Sequence, residues 1–139
     1  MSQSIQVKVR MADGDIVSAA VEICSNAGTR LHGLTIKGID TGQERFDAGD
    51  LFEAMTDLRR VLERTGAQLL CAGARVDVYP SGMCRDMGGG RQAYATQIGK
   101  PARMEDLVDI FAYAEPESVG TVQQQVEFHA EWIESLAKA

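Results

Sequence analysis

"SIQVKVRMADGDIVSAAVEIC", residues 4–24, is the stretch whose reading decides the fold. In its first half Ile5, Val7, Val9 and Met11 alternate with Gln6, Lys8 and Arg10, the two-residue period of a strand with one buried face. The pair Asp13-Gly14 follows, a strong hairpin signal because Asp and Gly tolerate the positive φ of a tight turn. The second half permits two readings. As a strand it places Val17, Ala19, Val21 and Ile23 on one face; as a helix it aligns Ile16, Ala20, Ile23 and Ala27, with Gly28 as the stop. Its β-branched content and the preceding turn favour the strand. "LHGLTIKG", residues 31–38, then predicts a third strand with His32, Leu34 and Ile36 on a shared face.

Helical spacing begins near residue 51. Leu51, Met55, Leu58 and Leu62 recur on one stripe, and Phe52 and Val61 widen it. Asp50 can cap its start, Glu53 sits at the capping-box position, and Gly66 supplies the stop. Arg59, Arg60 and Arg64 read as the polar face of this helix. "QLLCAG", "RVDVYP", "RQAYATQI" and "DLVDIFAYA" read as further strands. A second helix follows Thr121, with Gln124 completing a capping box. Its apolar stripe is Val122, Val126, His129, Ile133 and Leu136, with Phe128 and Trp132 beside it. The expected fold is α+β: an antiparallel or mixed sheet with two main helices packed on one side, in a single domain spanning residues 1–139.

The chain of 139 residues carries a net charge of −6, unevenly spread. Residues 105–139 hold eight carboxylates against Lys138 alone, which suits a basic partner. Overall acidity excludes sequence-independent nucleic-acid binding, which needs a basic surface to displace counterions. No apolar run resembles a signal peptide or reaches bilayer length, so no membrane role is expected. Cys24, Cys71 and Cys84 are odd in number and lack CxxC spacing; this argues against a disulfide framework and suits the cytoplasm.

Chemistry concentrates in "YPSGMCRDMGGGRQAY", residues 79–94. A phosphate cradle would need the glycines to lead into Lys-Ser/Thr and a helix, whereas Gly88, Gly89 and Gly90 lead into Arg91 and a strand-like segment. Arg85 and Arg91 with glycine amides could still hold an anion. Cys84 invites a nucleophile reading, but the two histidines, His32 and His129, sit on a strand and on an apolar helical stripe. Three scattered cysteines and two histidines show no metal-ligand spacing, so neither a metal nor a cofactor is expected. What remains is contact chemistry: Met83, Arg85 and Met87 are residue types that serve adaptable protein interfaces, or that fold back into a core.

The stretch "DVYPSGM…MGGG…AY" within residues 73–111 resembles small standalone bacterial immunity proteins of polymorphic toxin systems. The resemblance implies a protein that binds and blocks a toxin domain and carries no catalytic residue. The reading that follows is a non-enzymatic binding protein whose partner is a basic toxin domain. Its contacts would be Glu115, Glu117, Glu127, Glu131 and Glu134 for steering, with Met83, Arg85 and Met87 as a less charged patch. The second reading is a protein or enzyme for a small ligand or phosphate compound, using residues 82–91.

Overall fold

The computed structural model describes residues 3–25 and 31–138. β1 (Gln3–Arg10) and β2 (Ile16–Ser25) form the expected antiparallel hairpin, in register from Gln3 opposite Ile23 to Arg10 opposite Ile16. At the turn Gly14 takes φ +93°, the Asp13 carboxylate accepts from the Asp15 N–H at 2.9 Å, and the Met11 N–H donates to the Asp15 carbonyl at 2.7 Å. The strand reading of residues 16–24 therefore holds; Ala27 and Gly28, which the helical reading used, lie outside the described residues.

β3 (His32–Lys37) and β4 (Arg45–Ala48) extend the sheet on one side, and β5 (Gln68–Leu69) on the other, in the order β4-β3-β2-β1-β5. α1 (Leu51–Glu63) lies across one face of this sheet. Val7, Val9, Ala19, Val21, Leu34, Ile36 and Phe46 from the strands meet Leu51, Phe52, Met55, Leu58 and Leu62 from the helix, all buried. Each fully buried aliphatic side chain of this kind stabilises the fold by about 1.5–3 kcal/mol. Asp50 is the N-cap as expected, its carboxylate accepting from the Glu53 N–H at 2.8 Å. The polar face of α1 differs from expectation in one residue. Arg59 is only 2 % exposed and points into the protein.

A second antiparallel sheet has the order β6-β7-β8, built from β6 (Val78–Tyr79), β7 (Gln92–Ala95) and β8 (Leu107–Asp109). These strands, like β5, are shorter than the sequence suggests. Around residues 70–78 the backbone bonds outside any ladder: Ala72 N–H donates to the Ala112 carbonyl and Gly73 N–H to that of Ile110. The Gly73, Arg75 and Val78 carbonyls accept from a side chain, Gln125.

Among the described residues, two further helices complete an α+β fold of two antiparallel sheets and three helices. The glycine-rich stretch is not an open loop: residues 82–88 form α2 (Gly82–Gly88). α3 (Val122–Ala137) has the expected capping box, with Thr121 and Gln124 exchanging side-chain-to-backbone bonds at 3.1 and 2.8 Å. Among the described residues no helix is long and apolar enough to cross a membrane.

Candidate functional site

α2 is held in place without burying any of its own residues. Ser81 caps its start, the hydroxyl accepting from the Cys84 N–H at 3.1 Å. Gly89 ends it in the left-handed conformation at φ +64°, and the Gly90 N–H closes back on the Cys84 carbonyl at 3.0 Å. Gly90 itself has φ +76°, and a Cβ there would stand 2.8 Å from an Asp50 carboxylate oxygen and 3.0 Å from the Phe52 nitrogen. The glycines thus end a helix and allow it to approach α1 closely. An ion pair supplies the other anchor: Arg85 donates to the nearly buried Asp50 carboxylate at 2.8 Å, with its guanidinium over the rings of Phe52 and Tyr79. Held this way, α2 projects Met83 and Met87, one turn apart, 70 % and 82 % exposed.

α3 faces α2 across Tyr79. Its apolar stripe does not pack as a stripe: Val122 is buried, but Val126 and Ile133 are 45 % and 52 % exposed. The helix docks instead through Gln125, which is fully buried. The Gln125 carbonyl oxygen accepts from Arg59 at 2.6 Å, and its amide donates to the Gly73, Arg75 and Val78 carbonyls at 2.8–2.9 Å. Arg59 also donates to the Gly73 and Gly120 carbonyls, at 3.3 and 3.0 Å. Burial lowers the Arg59 pKa to about 10, which leaves it charged at neutral pH. A buried arginine satisfied by an amide and carbonyls, rather than by a carboxylate, ties α1, residues 73–78 and α3 into one network.

Beyond Gln125 the docking becomes aromatic. The His129 ring stacks on Tyr79 with centroids 3.9 Å apart, and Trp132 lies 5.8 Å from His129 with its indole N–H donating to the Lys100 carbonyl at 2.8 Å. Among the described residues His129 Nδ1 is buried without a hydrogen-bond partner. Burial, and secondarily the Arg85 charge, lower its pKa and favour the neutral ring. Two cavities share Tyr79. One, of about 470 Å³, is lined by Met83, Tyr94, Trp132 and Leu136; the other, of about 310 Å³, by Phe52, Arg85, Gln125 and Val126.

The carboxylates expected to bind are all exposed. Glu115 precedes the single turn at residues 116–118, and Glu117 lies within it. Glu127, Glu131 and Glu134 form a ridge on the side of α3 turned away from Gln125 and His129. Gln123 donates to Glu127 at 3.1 Å, and Lys138 pairs with Glu134 at 3.1 Å. Met83, Arg85 and Met87 share α2, but Arg85 is occupied by Asp50. Arg91 bonds Asp109 at 3.3 Å and Gln3 at 2.6 Å. The two arginines therefore serve separate partners and form no joint anion clamp. Cys71 is buried, with its thiol pKa pushed up to about 12 by desolvation. Among the described residues no three His, Cys, Asp or Glu side chains are grouped to hold a metal.

Sequence reasoning missed Arg59, Gln125 and the Tyr79–His129 stack. One signal was present: Gln125 occupies the core-facing position between Val122 and His129, where a polar residue needs buried partners. The fold is that of a small α+β protein, with two exposed methionines on α2 and an exposed carboxylate ridge on α3. No protein-family model matches the chain, and no curated protein matches it either.

Proposed function

We propose that this is a non-enzymatic binding protein that captures a protein partner with the surface formed by α2 and α3. Following the resemblance of residues 73–111, the partner is a basic toxin domain and the protein its immunity factor. The observation that carries the reading is α2. A seven-residue helix with no fully buried residue is nevertheless fixed by a cap, two glycines and an ion pair, and what it displays is two exposed methionines. Flexible apolar side chains on a rigid mount, beside the half-open side of α3 with Val126 and Ile133, are characteristic of protein contact surfaces. The α3 ridge supplies long-range attraction for a cationic partner.

The test is protection from, and association with, the toxin domain encoded beside this chain. Replacing Glu127, Glu131 and Glu134 by Gln should slow association about tenfold at low salt, with the difference shrinking at high salt. The pair Met83→Ser and Met87→Ser should mainly speed dissociation. Absence of such a toxin domain, lack of protection by the wild type, or unchanged kinetics in both variants would overturn the reading.

A further inference from the structure

The edge of β1 carries a second feature, away from α2 and α3. The turn bond from the Met11 N–H to the Asp15 carbonyl sets the phase of the hairpin, so Ile5, Val7 and Val9 direct their backbone groups to β2. The even-numbered residues of β1 direct theirs to the opposite edge. Leu70 confirms this phase: its N–H donates to the Lys8 carbonyl at 2.9 Å. There the cover stops. β5 pairs only with Val9 and Arg10, and the Leu70 carbonyl turns away to accept from the Ala114 N–H at 3.1 Å. Ser4 and Gln6 are exposed, and among the described residues their backbone N–H and C=O groups have no hydrogen-bond partner.

Beside this bare edge lies a cavity of about 540 Å³ whose apolar lining includes Val7, Leu70, Phe111 and Tyr113. Lys8 is its one charged lining residue. The opposite edge of the sheet is different. β4 is four residues long and carries the ion pair of Arg45 with Asp47 at 3.0 Å, the kind of charged short edge that resists strand addition.

We propose that the Ser4–Gln6 edge is a strand-addition site that takes an extended segment of another polypeptide in line with β5. Main-chain bonds at Ser4 and Gln6 give it affinity. An aliphatic side chain of the incoming segment enters the cavity over Val7, Leu70 and Phe111. On that same face of the incoming segment an acidic side chain meets Lys8, which lines the cavity with no carboxylate opposing it there and donates to the Ser18 hydroxyl at 2.6 Å.

The probe is a fluorescein-labelled heptapeptide with Val and Glu at the positions of one face and Thr at the positions between them, followed by fluorescence anisotropy. Hydrogen exchange of the protein amides is measured alongside. Saturable binding with new protection at Ser4 and Gln6 is expected. Gln6→Pro should weaken it at least tenfold, because it removes an outward N–H that the pairing with Ala20 does not use. Should that variant fail to fold, the same peptide N-methylated at alternate amides, tested on the wild type, must lose binding to a similar extent. No saturation up to millimolar peptide, equal binding of the methylated peptide, or protection confined to other residues overturns the proposal. A dimer in sedimentation that Gln6→Pro converts to monomer also overturns it, because the edge would then belong to a second copy.

Discussion

Gln125→Ala should be among the most damaging single changes in α3, although it deletes no apolar group. The lost interactions can be summed. The bond from the charged Arg59 is of a type that contributes about 1.5–3 kcal/mol, and the amide's two hydrogens, shared among three carbonyls, contribute about 1 kcal/mol each. The expected loss is about 3–5 kcal/mol, above the usual range for a point change. Urea denaturation followed by circular dichroism measures it, with the slope unchanged if the transition stays two-state. The reasoning makes a second, sharper claim. Much of the cost comes from stranding the Arg59 charge, so Arg59→Met combined with Gln125→Leu should be less damaging than the sum of the two single changes by at least about 1 kcal/mol. A loss within about 0.5 kcal/mol for Gln125→Ala, or strict additivity in the cycle, would mean that α3 is not held by this network.

Two further outcomes are expected. Gly90→Ala should cost about 2–4 kcal/mol by thermal or urea denaturation, because φ is +76° and the new methyl would meet Asp50 and Phe52, whereas Gly82→Ala, with open space around it, should be neutral or slightly stabilising; equal effects would refute the account of α2. His129 has a folded pKa below its ordinary 6.5, so the unfolded chain takes up the proton first. The stability it contributes is present above about pH 6.5 and is lost as pH falls through the lowered folded value. Urea midpoints between about pH 7.5 and 5 should therefore fall less steeply for His129→Phe than for the wild type, and equal slopes would refute the neutral stacked ring.

Local patterns carried much of the fold. Alternation from Ile5 to Met11, the Asp13-Gly14 turn, the Leu51–Leu62 stripe and the Thr121 capping box each act over a few residues and survive into the structure. β4 escaped notice because four residues give only two buried alternations, Phe46 and Ala48. α2 was hidden because its anchors are distant: Asp50 is 35 residues from Arg85, and three glycines argue for a turn until one of them is seen to end a helix. The α3 stripe misled for the opposite reason. Apolar spacing predicts a buried face, but the partners that decide its docking are Arg59 and backbone carbonyls, which no periodicity reveals. Of the residues proposed as contacts, exposure was legible for the glutamates, while the occupation of Arg85 by Asp50 was not.

The Asp50 carboxylate has one further consequence. One of its oxygens caps the helix that organises the core, and the other grips Arg85. Any displacement of the methionine-bearing turn must therefore loosen the first turn of α1, so the display surface inherits the stiffness of the protein's interior. If the proposed partner lands on Met83 and Met87, little backbone is left to immobilise, and what remains to settle is side-chain rotamers. Recognition there should be a single-step encounter without a slow rearrangement. Conversely, Asp50→Asn, which weakens the grip without emptying the site, would leave Met83 and Met87 chemically untouched yet make their backbone part of what binding the proposed partner has to order.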